Sequence, residues 1–575
     1  MTKKDLFARI QSLAAALYGP DEAGEITKLV SSLAAKQETA NGQGAPLSQA
    51  DCILITYGDL LCRKGSPPLQ VLHDFLAEYL KGTVSAVHIL PFYPYSSDDG
   101  FAVIDYWQVN ERLGTWNDIS NIAQDFDLMV DAVINHISAS SEWFQAYLKG
   151  DPHFQDFFIE ADPDLDYSQV VRPRALPLLT EFETKMGQRY LWTTFSADQI
   201  DLNFASPGVL KEWVRLFFFY IKKGARYIRL DAVGYLWKDI GTSCIHLEQT
   251  HKVVQLLRAV AETADPSAKI ITETNVPHKD NISYFGHGTN EAHLVYQFPL
   301  PPLVLHTFIA EDCSALSRWA SELQDPPGDA TFLNFLASHD GIGVMPVKDL
   351  ISAEDLEEII GAAKRRGGFV SYKHNADGTE SPYELNINYL SALFEPGEPQ
   401  ENAVQRFLTA HSILLSLMGV PAIYMHSMLG SLNHTDGVKS SGIKRRINRE
   451  KLDFETTIRQ LNFSHSLRHR VFYGLRHMLN IRRSQEAFHP KSPQEILFLG
   501  SSVFAVKRGD SRREVIISLN NVTGREQKVT LSEDVLDGAM EATDLLSGIS
   551  YRKEGQGLIL TLKPWQACWL KLGKH

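Results

Sequence analysis

The stretch from Tyr227 to Tyr235, YIRLDAVGY, follows Gly224 and is an apolar, β-branched and aromatic run that reaches an acid, Asp231, two residues after Arg229. Such a run reads as a buried parallel strand, with Asp231 at its C-terminal end. Two later runs end the same way: KIITETN carries Glu273 near its end, and FLNFLASHD closes on His339 and Asp340. The intervals between these acids fit one and then two strand–helix units of about 30 or more residues each. In a (β/α)8 barrel the C-terminal strand ends share one face, so three carboxylates distant in sequence meet over one substrate. The fold class expected is α/β.

At 575 residues the chain exceeds one ordinary domain, and 44% hydrophobic against 22% charged residues is enough for a sizeable core. The net charge of −13 argues against phosphate-backbone recognition, so no nucleic-acid partner is expected. The N-terminal MTKKDLFARIQSLAAALYG has helical spacing and lacks an uninterrupted signal-peptide core, and no apolar run is long enough to span a bilayer. A cytoplasmic protein with no membrane partner is therefore expected. The five cysteines, Cys52, Cys62, Cys244, Cys313 and Cys568, are scattered without a CxxC pair and read as reduced thiols.

In order along the chain, residues 1–48 read as amphipathic helices followed by a polar linker over Glu38 to Pro46, packed outside a catalytic core of residues 49–490. Asp51 to Asp59 and Val84 to Phe92 are the first two barrel strands. The loop PFYPYSSDDGF then carries Asp98, Asp99 and Phe101, either as a plain turn or as a sugar-facing wall, since pyranoses bind by apolar face contact plus hydroxyl-to-carboxylate bonds. Leu128 to Ser138 is the third strand, ending in Asn135 and His136, where the histidine is either a satisfied structural group or a ligand for a hydroxyl. Residues 139–205 interrupt the strand–helix pattern and form an inserted subdomain containing Arg172, Arg174, Gln199 and Asp201. Leu294 to Phe298 is a weaker sixth strand, residues 341–399 a second insertion, and Val420 to His426 the eighth strand, followed by the basic loop GIKRRINREK. From residue 491 to 575, short alternating strands with turn residues between them indicate a C-terminal antiparallel β-domain.

An Asp, a Glu and an Asp on one barrel face suit retaining glycosyl transfer, in which one carboxylate attacks the anomeric carbon and the second protonates the leaving oxygen. The third binds hydroxyls and offsets positive charge developing on the ring. Arg229, on the same strand face as Asp231, would keep the nucleophile ionised. Taken singly, each acid also reads as a strand-end cap or salt-bridge partner.

The combination resembles the α-amylase family of glycoside hydrolases over nearly the whole chain, with DAVINH, RLDAV, ITETN and LASHD similar to its four signature regions in order. The resemblance implies a (β/α)8 TIM barrel with an inserted subdomain after strand 3, a second insertion after strand 7 and a C-terminal β-domain. It also implies Asp231 as nucleophile, Glu273 as acid/base and Asp340 as transition-state stabiliser, with His136, Arg229 and His339 beside them. HILPF, the Asp98 to Phe101 loop, RPRALP, DQIDLNF, RLDAVGY followed by GTSC, and LPPLVLH are similar to the sucrose phosphorylase branch. Gly234 and Tyr235 stand where starch-cutting members typically carry a Lys and a His, and no calcium cage is evident. PYSSDDGF, ITETN, SPYELN and VPHKDN depart from sucrose phosphorylase and resemble the branch that contains glucosylglycerate phosphorylases.

The resemblance thus implies a phosphorylase that makes α-glucose 1-phosphate from an α-glucoside and phosphate. The acceptor released would be D-glycerate, with sucrose, sucrose 6'-phosphate and glucosylglycerol phosphorylase as alternatives. A hydrolase or transglucosidase uses the same acids, and a non-catalytic amylase-like binding protein would be expected to lose them. Arg174 and Arg445 are the candidates for phosphate, with Tyr383 beside them, and their alternative is as ordinary surface arginines. Asp98, Phe101, Gln199, Tyr235, Asn275, His278 and Glu384 complete the expected substrate contacts, His278 and the arginines as groups for a carboxylate. No metal or cofactor is expected, the partners are the glucoside and phosphate, and a homodimer stays open.

Overall fold

The computed structural model describes residues 2–37, 46–173, 176–374, 379–555 and 557–573. Eight parallel strands close into a barrel: β1 (Ile53–Thr56), β2 (Ala86–Ile89), β3 (Asp127–Ala132), β4 (Ala225–Leu230), β5 (Lys269–Thr272), β6 (Leu294–Tyr296), β7 (Thr331–Phe335) and β8 (Val420–Tyr424). Closure is made by Ile53, which pairs with Ala86 of β2 on one side and Ala422 of β8 on the other. The strands are buried on both faces, which is why they read as continuous apolar runs rather than alternating ones. Each acid lies just beyond a strand: Asp231 directly after β4, Glu273 directly after β5, and Asp340 in the loop past β7.

Two helices, Lys3–Tyr18 and Pro20–Lys36, precede the barrel as an antiparallel pair on the outer ring beside the helix Glu248–Ala264. Leu6, Ile10 and Ala14 fall on one face at four-residue spacing and are buried, as are Ala23, Ile26 and Val30 of the second helix. Thr2 and Asp5 form a capping box at the start, and Arg9 donates to the Asn290 carbonyl at 2.7 Å. All of the expected linker except Pro46 lies outside the described residues.

The third strand is shorter than expected. It stops at Ala132, and His136–Ser138 is a separate strand paired antiparallel with Gln199–Asp201, His136 facing Asp201. The turn between them lifts the chain out of the barrel into the insertion, so the start and end of the inserted segment are stitched together at the top face. Past β7, Ile342–Gly343, Phe369–His374 and Glu380–Asn386 form a small antiparallel sheet that leans over the same face. After the helix Leu467–Arg482, a six-stranded antiparallel sheet and a two-stranded one form the C-terminal part. Trp569 of that sheet donates to Ser412 at 2.8 Å and so anchors it on the helix Gln400–Ser416 that precedes β8. Among the described residues no helix is long and apolar enough to cross a membrane.

Candidate active site

One cavity at the C-terminal face of the barrel collects Asp98, Phe101, His136, Gln199, Asp231, Glu273, Asn275, His339, Asp340, Tyr383, Glu384 and Arg445. The acids come from β4, β5 and the loop after β7. Tyr383 and Glu384 come from the strand Glu380–Asn386, and Arg445 from the turn Lys444–Asn448 after β8. Five elements far apart in sequence thus supply one pocket, as parallel strands ending on one face require.

Arg229 is the centre beneath the acids. Its Nη1 bonds Asp131 and lies 2.7 Å from Asp231 Oδ1, while its Nη2 is 3.7 Å from Glu273 Oε2. Asp131 sits opposite Arg229 in the β3–β4 register and is fully buried, with His88 Nε2 at 2.7 Å from its other oxygen. Ala232, next to the nucleophile candidate, takes a left-handed φ of 50°, and its N–H reaches Glu273 Oε2 at 3.2 Å. A left-handed alanine costs roughly 1 to 3 kcal/mol and persists where the surroundings over-determine it.

Burial pushes Asp231 and Glu273 upward, the charge of Glu273 adds to the rise at Asp231 and that of Asp340 to the rise at Glu273, and Arg229 opposes both. The pair therefore keeps a proton above the ordinary carboxylate range. Burial acts on both, and the contacts assign the proton to Glu273: Arg229 bonds Asp231 at 2.7 Å and stands a further ångström from Glu273. Asp340 is different. Burial raises it too, yet the guanidinium groups of Arg445 and Arg449 hold it below the usual range. Burial pushes His339 down to about 3, so it is a neutral ring, stacked on Phe101 at 4.7 Å. One proton donor candidate and two anions thus face the same space.

The wall opposite is built by His136, whose Nε2 lies 2.9 Å from the Phe101 carbonyl and 3.2 Å from Gln199 Nε2. Phe101 follows Asp98, Asp99 and Gly100, all at positive φ, and a Cβ on Gly100 would come within 2.7 Å of the Pro91 carbonyl. Asn275 Oδ1 is buried in the wall with no hydrogen-bond partner among the described residues, which leaves an acceptor for a ligand hydroxyl. Among the described residues no group of three or more His, Cys, Asp or Glu side chains is arranged to hold a metal.

Not every expected contact lies in the cavity. Arg229 lies beneath it rather than lining it, and Tyr235 stands behind Phe195 in an edge contact at 5.6 Å. His278 is a correction: it begins the helix His278–Ile282 and packs 6.3 Å from Phe332, so it does not line the cavity. Arg172 is also away from it, exposed and bonded to the Leu176 carbonyl. Pro173 lines the cavity, and Arg174 lies outside the described residues. Residues missed by sequence reading include Asp131, Phe195, Asn448 and Arg449. Asn448 donates to the carbonyls of Ser338 at 3.1 Å and Asp340 at 2.9 Å, while Arg449 joins the His339 carbonyl to Asp99. The basic run after β8 was the available signal.

The model of the α-amylase catalytic domain matches residues 74–341. Glucosylglycerate phosphorylase of Spirochaeta thermophila is 47% identical, with 98% of each chain covered. Sucrose phosphorylase of Agrobacterium vitis is 32% identical over 69% of this chain and 81% of that one. Among solved structures, sucrose 6F-phosphate phosphorylase from Thermoanaerobacter thermosaccharolyticum superposes with a TM-score of 0.73 at 25% identity, covering 84% of this chain and 96% of the other.

Proposed function

We propose that this chain, which belongs to the α-amylase family, is a retaining phosphorylase that converts 2-O-α-glucosyl-D-glycerate and phosphate to α-D-glucose 1-phosphate and D-glycerate. The 47% identity to a glucosylglycerate phosphorylase over 98% of both chains supports the substrate pair. The observation that carries the mechanism is the unequal reach of Arg229, 2.7 Å to Asp231 and 3.7 Å to Glu273.

In this reading the Asp231 carboxylate attacks the anomeric carbon while Glu273 gives its proton to the departing glycerate oxygen. The product of that step is a β-glucosyl ester on Asp231. A phosphate oxygen then attacks the same carbon, Glu273 takes the proton it sheds, and the Asp231 ester bond breaks. Two inversions leave the α-anomer. Asp340, anionic beside the ring, offsets charge on the oxocarbenium-like transition state. His136, Gln199, Asp98 and Asn275 hold glucosyl hydroxyls, Phe101 supplies an apolar face, and Arg445 with Tyr383 meets phosphate and acceptor. Arg174 is assigned to phosphate from its motif alone. Five unbridged cysteines suit a cytoplasmic setting.

The test is phosphate release from α-glucose 1-phosphate with glycerate, glycerol, fructose and fructose 6-phosphate as acceptors. Glycerate is expected to give the fastest release. Free glucose formed with every acceptor, with no acceptor-dependent phosphate release, would make the protein a hydrolase.

A further inference from the structure

Lys238 lies three residues past Tyr235 in the loop after β4, and its side chain is only 3% exposed. Its ammonium is 2.6 Å from Asp201 Oδ2 and 2.9 Å from Asn135 Oδ1, and it also donates to the Tyr235 carbonyl. An ammonium has three hydrogens, and here each has one oxygen acceptor. The acceptors come from three separate pieces of chain: the turn after β3, the end of the inserted subdomain, and the turn that begins at Asp231. Asp201 is itself held by the Thr194 N–H at 2.8 Å and the Thr194 hydroxyl at 2.6 Å, so it cannot swing away to water.

Each acceptor sits one short step from the cavity. Asn135 precedes His136. Gln199, two residues before Asp201 on the same strand, reaches His136 at 3.2 Å. Tyr235 meets Phe195, which lines the cavity.

We propose that Lys238 is a positioning residue, a buried internal cation that fixes the turn carrying Asp231 against the wall formed by His136, Gln199 and Phe195. It touches no reacting atom. Its removal leaves the Asn135 amide oxygen and the Tyr235 carbonyl without this donor and the buried Asp201 anion with neutral donors only, from Thr194 and the Asn135 amide at 3.1 Å, so the three segments must separate or admit another cation. Displacing a reacting carboxylate by a fraction of an ångström is enough to slow glucosyl transfer.

The test uses fluoride release from α-glucosyl fluoride at saturating phosphate, which reads formation of the glucosyl-enzyme whichever acceptor the enzyme serves. A failure of the acceptor assignment is thus kept separate from a failure of this proposal. K238A and K238M are each expected to lose about tenfold to a hundredfold in kcat. K238A lacks three carbons and the ammonium, which n-propylammonium replaces, so millimolar n-propylammonium should restore K238A severalfold. It should restore neither K238M, whose side chain fills the hole, nor alter the wild type. A folded K238M with wild-type kcat overturns the proposal. Equal restoration of K238A by 1-propanol also overturns it, because then only volume is missing. If K238A does not fold without an additive, its refolding by n-propylammonium and not by 1-propanol supports the same conclusion, and K238M decides the kinetics.

Discussion

The Arg445 guanidinium closes as a fork on the Glu384 carboxylate, with Nε 3.0 Å from Oε1 and Nη2 2.6 Å from Oε2, while its Nη1 lies 2.6 Å from Asp340 Oδ1. Glu384 is only 3% exposed at its side chain, and a Cβ on Gly341 would meet its Cγ at 2.5 Å, so the pair is tightly backed. The same two-pronged geometry serves phosphate. In the proposed reading phosphate takes the fork only when Glu384 yields it, and withdrawal of the strand Glu380–Asn386 would release it.

From this follows a change in partitioning. Arg445→Ala is expected to raise the ratio of glucose to glucose 1-phosphate, and Arg445→Lys to restore it only in part, because a point charge cannot fork. Both products are measured from one donor at fixed phosphate. An unchanged ratio in Arg445→Ala would remove Arg445 from phosphate binding.

The assignment of Asp231 and Glu273 predicts net retention. Asp231→Asn or Glu273→Gln should each cost at least several orders of magnitude in kcat. Proton NMR of the first-formed sugar phosphate should give the α-anomer, and a β product would falsify the nucleophile assignment.

A pH profile tests the shared proton. Burial raises Glu273 and Asp231, Asp340 adds to the first and Glu273 to the second, and Asp131 raises both further. Forming the glucosyl-enzyme needs that proton, so kcat/KM should be sustained below the raised value and fall as pH climbs through it. Asp131→Asn removes one nearby negative charge, which lowers the proton affinity of the pair. Its alkaline limb should then lie at lower pH than that of the wild type. A limb that stays put or moves up would mean that the limb reports another group.

That Asp231, Glu273 and Asp340 share one cavity was legible because each stands just past an apolar run, and parallel strands put such ends together. What joins them was not. Asp131 sits inside DAVINH, but only the β3–β4 register sets it beside Arg229. Asp99 and Arg449 are 350 positions apart, and their ion pair exists only once the barrel closes. His278 reads as a top-face residue from its place after β5, yet the short helix it begins turns its ring toward Phe332 instead. Distance along the chain hides these contacts because the barrel brings together what the sequence spaces evenly.

The proposed acceptor assignment is tested most directly at Glu384. An unpaired Glu384 would repel glycerate, but Arg445 neutralises it, and a carboxylate with two oxygens retains lone pairs for acceptor hydroxyls. Wild type is accordingly expected to prefer glycerate over glycerol at equal concentration in the synthetic direction. Glu384→Gln removes a negative charge while keeping an oxygen toward Arg445. Hydroxyl contacts weaken equally for both acceptors, so their kcat falls together, whereas the guanidinium is left with Asp340 as its one anionic partner of the two, a gain for the glycerate carboxylate alone. The ratio of kcat/KM for glycerate to that for glycerol should therefore rise in Glu384→Gln. A ratio that falls would mean that the glycerate carboxylate is held elsewhere and that Glu384 acts through hydroxyls only. If glycerol or fructose leads in wild type by tenfold, about 1.4 kcal/mol of transition-state preference, glycerate is not the acceptor this pocket is built for.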